Sequence, residues 1–134
     1  MMGGSFCPTV MGLAKNNRGF GMSQIFVRKG PLDEVMLVVG HELGHVWTIP
    51  LKDQHDEEAK AFAFMLAWKD AIVEHDIAGL ASSIRIGAPA ENGLHNVALA
   101  CVLDMKERGR DALAMYWDLL KRNLSVKRWV SADV

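Results

Sequence analysis

Residues 38–50 read VVGHELGHVWTIP, with His41 and His45 four positions apart and Glu42 directly after the first, in a chain of 134 residues that holds only five histidines. On a helix of 3.6 residues per turn the two histidines share one face, about 6 Å apart along the axis, so both imidazoles reach a single ion. Zinc suits imidazole nitrogen, and a catalytic zinc takes three protein ligands while a fourth position is left to water. Glu42 projects beside the pair, placed to accept a proton from that water without binding the metal. The His-Glu-x-x-His pattern thus supplies two ligands and the general base of a metal-dependent hydrolase.

The elements around the motif have to hold it. Pro31 suits a helix's first turn, Asp33 and Glu34 lie where the helix dipole favours negative charge, and Pro50 cannot continue the ladder, so one helix is expected between the two prolines. Val35, Met36, Leu37, Val38, Val39, Leu43, Val46 and Trp47 make it apolar almost all round and therefore central. Two histidines and a glutamate in such a helix carry a desolvation penalty of roughly 1–3 kcal/mol per unsatisfied group, which a metal site relieves. Gly44 costs a helix about 1 kcal/mol relative to alanine, so something is expected to come close there, whether substrate, a neighbouring helix or a strand, with plain packing as the default.

The third ligand sets the subclass. A histidine in the metzincin position would fall at Leu51, so that class is excluded. A carboxylate from the next helix remains, and Asp56, Glu57 and Glu58 all stand at its front, with His55 just ahead of them. His75 and His95 are lone histidines on helices, Tyr116 is a remote candidate for oxyanion stabilisation with core packing as its default, and Trp47, Trp68, Trp117 and Trp129 read as core or interface residues.

HELGH followed by DEEAKAFAFML resembles the ImmA/IrrE family of metallopeptidases, which pairs a His-Glu-x-x-His helix with a downstream helix of the type Glu-x-x-Ala-Asn-x-Phe-Ala. The likeness covers residues 25–66. In that family the acidic residue three before the alanine is the third zinc ligand, and aligning Ala59, Phe62 and Ala63 puts Asp56 in its place. Asp56, Ala59, Phe62 and Ala63 share one helical face, in agreement with that alignment. Aspartate is one methylene shorter than the family's glutamate, so the helices must approach more closely or Glu57 or Glu58 must substitute. Lys60 stands where the family has asparagine, and MLAWKD replaces its Leu-Leu-Met-Pro ending. The resemblance implies a minimal zincin-like fold, Zn2+ as cofactor, metalloendopeptidase activity on a protein or peptide substrate, and often a regulatory repressor as that substrate. Zincins of this kind hold substrate as an added strand, and SQIFVR is the candidate edge.

The rest of the chain is read as one domain, residues 1–134. Short apolar runs broken by KNNRG and Gly-Phe-Gly over residues 8–28 are written as a small hairpin or meander. After the motif helix come HDEEAKAFAFMLAWKDAIVEHDIAGLASSIRI, as one long helix or two shorter ones, the turn-rich GAPAENG, and two more helices either side of Gly109. A small N-terminal antiparallel or mixed sheet followed by four to five helices is an α+β layout. A net charge of −1 offers no cationic field for a nucleic-acid backbone. Cys7 and Cys101 make no disulfide framework, no basic leader opens MMGGSFCPTV, and no apolar run is long enough to span a bilayer, so a cytoplasmic protein with no membrane partner is expected. Two rival functions belong to other classes: a zincin-fold regulatory or protein-binding module without turnover, and a helical DNA-binding or toxin-type protein, for which the interleaved charges near the C-terminus are poor support.

Overall fold

The KNNRGFG stretch reverses the chain because Arg18, Gly19 and Gly21 take positive φ values of 55°, 85° and 101°. That reversal pairs β1 (Gly12–Lys15) with β2 (Gln24–Val27) in an antiparallel hairpin whose register sets Gly12 opposite Val27 and Lys15 opposite Gln24. This computed structural model describes residues 12–132; residues 8–11 of the expected hairpin, Cys7 and the MMGG start lie outside the described residues. Five helices follow: α1 (Leu32–Val46), α2 (Gln54–His75), α3 (His95–Glu107), α4 (Ala112–Leu120) and α5 (Val126–Ala132). The architecture is therefore α+β, a two-stranded antiparallel sheet and then helices.

Pro31 precedes α1 and Asp33 and Glu34 occupy its first turn, as their dipole preference requires. The helix ends one turn before Pro50, and its open carbonyls do not go unmet. Asn16, from the hairpin loop, donates through Nδ2 to His45 O (2.8 Å) and Thr48 O (2.7 Å), which ties the sheet to the end of the motif helix. The hairpin also lies close along α1. A Cβ on Gly12 would meet Val38 Cγ1 at 2.5 Å and Glu42 Cγ at 3.2 Å, so only glycine lets β1 approach the motif this closely.

α2 is the central helix. Asp53 caps it, accepting from Asp56 N (3.0 Å), and Asp76 ends it in a left-handed conformation with φ 45°. The long second segment is thus one helix to His75, a short 3₁₀ turn at Ile77–Gly79, and irregular chain up to α3. Ala59, Ala61, Phe62, Ala63, Met65 and Leu66 are buried, and the core continues through Leu99, Val102, Met115, Tyr116 and Leu119 of α3 and α4.

Gly44 is where α1 and α2 come closest: a Cβ there would sit 2.7 Å from Ala61 Cα and 2.9 Å from Ala61 O. Backbone cannot move aside as a side chain does. Gly44→Ala therefore gains about 1 kcal/mol of helix propensity but overpacks the helix crossing by roughly 1–3 kcal/mol. The expected result in thermal unfolding is a net loss of up to about 2 kcal/mol; a stabilised Gly44→Ala would mean the helices are not in this contact.

Candidate metal centre

The close approach at Gly44 sets the front of α2 opposite the face of α1 that carries the two histidines. His41 Nε2 and His45 Nε2 lie 3.3 Å apart, and both face Glu58: His41 Nε2 to Oε1 is 3.1 Å and His45 Nε2 to Oε2 is 3.2 Å. One donor atom from each of His41, His45 and Glu58 falls within 4.8 Å of the other two, and this group could hold a metal ion. All three side chains are largely withdrawn from solvent.

Of the three consecutive acids, Glu58 is the one that joins the histidines. Asp56, the residue favoured by the alignment, is not in the group. Two residues on a helix are separated by roughly 200° of rotation, so with Glu58 turned to α1, Asp56 faces α5, where its Oδ1 accepts from Val126 N (2.8 Å). Burial raises the Asp56 carboxyl above its usual range, while the Val126 N–H pulls it down.

Glu57 has a third environment. Its Oε2 accepts from His45 Nδ1 (2.8 Å), and its Oε1 accepts from Leu51 N (2.8 Å) and Lys60 Nζ (2.9 Å). The ring nitrogen of His45 that faces away from Glu58 thus has a carboxylate partner, the usual arrangement around a metal-binding histidine. His41 differs, since its Nδ1 is buried with no hydrogen-bond partner among the described residues and its ring packs on Phe62 at 4.3 Å between centroids.

His95, which the sequence reading left as a lone histidine, enters the same cluster from the first residue of α3, its Nε2 3.1 Å from Glu58 Oε1. Its tautomer follows from its neighbours. Asn92 Oδ1 accepts from Leu94 N (2.9 Å) and His95 N (2.8 Å), so the other end of that amide, Nδ2, donates to His95 Nδ1 (2.9 Å). Nδ1 accepts, so Nε2 carries the hydrogen and donates to Glu58. Since partners of metal ligands typically carry 10–100-fold in affinity, His95→Ala should weaken zinc binding by roughly 10–100-fold in a chelator competition. An unchanged affinity would detach His95 from the site.

Charge follows the same pattern. Burial lowers the His41 imidazole below its usual value. For His45 burial acts in the same direction, but the hydrogen bonds to Glu57 and Glu58 outweigh it and lift the ring to about 9. Burial would raise Glu58, yet His41 and His45 hold its carboxylate well below the usual range. Glu42 has no such pairing among the described residues; 7 % exposed beside Gly12, it is pushed up to about 7 by burial.

These residues line one cleft of about 510 Å³, whose walls include His41, Glu42, His45, Glu58 and His95 on one side and Gly12, Leu13 and Ala14 of β1 on the other. The strand at the cleft is β1, so β2, the expected SQIFVR edge, lies on its far side. The remaining candidates fall elsewhere. His55 Nε2 donates to Gly93 O (2.9 Å), His75 is exposed beside Glu74, and Tyr116 is fully buried with its hydroxyl 2.7 Å from Thr48 Oγ1. Trp68 and Trp129 pack against the core, whereas Trp47 stacks on Tyr116 and stays 53 % exposed.

Comparison with models of protein families, with characterised proteins and with solved structures returns no match to this chain. No helix among the described residues is long and apolar enough to cross a membrane. What the chain does has to be argued from the cleft.

Proposed function

We propose that this chain is a zinc-dependent endopeptidase with an active site of the ImmA/IrrE type, in which His41, His45 and Glu58 hold the metal and Glu42 is the general base. The observation that carries the reading is the convergence of two imidazole Nε2 atoms and one carboxylate within 4.8 Å, in the same cleft as the buried Glu42, which pairs with no other charged group among the described residues. Two nitrogens and one carboxylate oxygen are a donor set that zinc takes in hydrolases, with a coordination position to spare. The buried polar atoms facing one another across 3.1–3.3 Å are otherwise poorly matched, since two imidazole nitrogens at that distance share at most one hydrogen. A bound zinc supplies Lewis acidity that polarises a carbonyl and makes water acidic near neutral pH.

The chain's own groups do the rest. Glu42 takes a proton from the attacking water and returns it to the departing amine nitrogen. In the metal-free chain burial pushes this carboxyl up to about 7, so the pocket itself favours its taking up a proton. The His95 Nε2–H donates to Glu58 Oε1, the same oxygen that faces His41 Nε2, and so helps to hold the carboxylate in place. An extended peptide fits the cleft as a strand beside β1, where Gly12, Leu13 and Ala14 present backbone and small side chains. Substrates are proteins with an accessible extended segment, regulatory repressors among them as the family resemblance implies. Action in the cytoplasm is part of the same reading, supported by cysteine usage.

The test is a search for new N-termini by mass spectrometry in a bacterial lysate treated with zinc-loaded protein. Cleavages that vanish with a chelator and return on zinc addition are expected. A lysate left intact under all conditions would overturn the peptidase reading.

A further inference from the structure

Lys60 is 0 % exposed, one of the two buried charged residues among those described, and the metal-site reading gives it no task. An ammonium taken out of water is costly without a partner, so its contacts show what retains it. Its Nζ lies 2.9 Å from Glu57 Oε1 and 3.4 Å from Ile49 O. Glu57 Oε1 also receives the Leu51 N–H, so this oxygen is held by two donors that have no acceptor role to offer in exchange. The carboxylate is therefore fixed in place, and its other oxygen, Oε2, points at His45 Nδ1 at 2.8 Å.

We propose that Lys60 and Glu57 are positioning residues that act as a relay, locking the orientation of the His45 ring so that Nδ1 donates to Glu57 and Nε2 is turned to the cleft. The inference rests on the metal-site reading for its purpose, because a ring so fixed presents the correct nitrogen before any ion arrives. An imidazole free to rotate or change tautomer would present Nε2 to the ion only part of the time, and binding would have to order it. Lys60 never touches the ligand group itself. It acts through Glu57, as Leu51 N does from the loop between α1 and α2, so that the end of the motif helix, the loop and the front of α2 are set by one carboxylate. The relay also accounts for a lysine at a position where the resembling family carries asparagine: a cation keeps Glu57 an acceptor.

The experiment is NMR of histidine-labelled, metal-free protein, with the His45 resonances assigned by their loss in His45→Gln, followed by chelator competition for zinc. In the wild type, an exchange-protected imidazole N–H at His45 Nδ1 is expected. It should disappear in Glu57→Gln and in Lys60→Met, with zinc affinity roughly 10–100-fold weaker in both. The double variant should lose no more than the worse single one, since both changes break one chain of contacts. Far-UV circular dichroism establishes that each variant is folded at the temperature used; should Lys60→Met be unfolded there, Lys60→Gln takes its place. Persistence of the protected Nδ1–H in folded Glu57→Gln and Lys60 variants would overturn the relay. Failure of the wild type to bind zinc would instead remove the metal-site reading, and the NMR result would still decide whether Lys60 and Glu57 fix the ring.

Discussion

Glu42→Gln should lower peptide-bond hydrolysis by about 10²–10⁴-fold, the range a positioned general base contributes, and should leave zinc binding intact. Glutamine keeps the size and most of the polarity of the side chain, and Glu42 lies outside the ligand group, so metal content should not change. The fold should not suffer either. At 7 % exposure and without an ion-pair partner among the described residues, the Glu42 carboxyl of the metal-free chain is pushed up to about 7, which means that burying its charged form opposes folding. A neutral amide removes that penalty, so Glu42→Gln is expected to unfold at the same temperature as the wild type or above it. Its folded-state value lies above the unfolded one, so the wild type gives up stability relative to Glu42→Gln as pH rises past the unfolded carboxyl range, and the gap grows until about 7. Initial rates of the zinc-loaded protein on a cleaved peptide check the first statement, and calorimetry of the metal-free protein checks the second. A variant that retains full hydrolysis would end the general-base assignment; one that retains the biological effect without hydrolysis would favour a non-catalytic binding module.

Glu58→Ala should weaken zinc binding by more than the roughly 10–100-fold that outer partners carry, whereas Asp56→Ala should leave it nearly unchanged. The contrast arises because one of these two neighbours faces both histidines while the other caps the first residue of α5. Losing Asp56 leaves Val126 N without its acceptor, at a cost of about 1 kcal/mol. In a protein of this size that is a fall in melting temperature of about 3–5 °C. Zinc titrations and thermal melts of the two variants, run side by side, should therefore separate cleanly. Tight zinc binding by Glu58→Ala together with its loss in Asp56→Ala would restore the alignment-based ligand.

The reason the alignment and the geometry diverge is physical. His41, Glu42 and His45 are legible in the sequence because a helix of fixed pitch places them by itself. Asp56, Glu57 and Glu58 stand at successive positions of one turn, about 100° apart, and sequence spacing says only that one of them faces α1. Which one does depends on how α1 and α2 cross, and that crossing is set at Gly44 against Ala61. A difference of one position in the facing residue divides the three acids among three tasks: Asp56 for α5, Glu57 for His45 and Lys60, Glu58 for the cluster.

The α+β order, the helix after Pro31 and the hairpin turn were equally legible, because proline, glycine and asparagine act locally. His95 was not, since an irregular connection after α2 carries no signal of where α3 begins relative to the cleft. Asn92 gave the only hint, as a turn residue ahead of a helix, and nothing in its type tells that it also orients a ring. SQIFVR reads as the edge strand because it lies just upstream of the motif helix; β1 reaches the cleft instead because Gly12 lets it lie against Glu42. Lys60 could not be read as buried, because lysine is almost never fully buried unless paired and its partner was itself one of the three ambiguous acids.

The most direct test of the metal site is zinc content by inductively coupled plasma mass spectrometry, after stripping, reloading with zinc and exhaustive dialysis, for wild type, His41→Ala and Glu58→Ala. The expected result is near-stoichiometric zinc in the wild type and almost none in either variant. A wild type that retains no zinc after reloading would contradict the account at its centre.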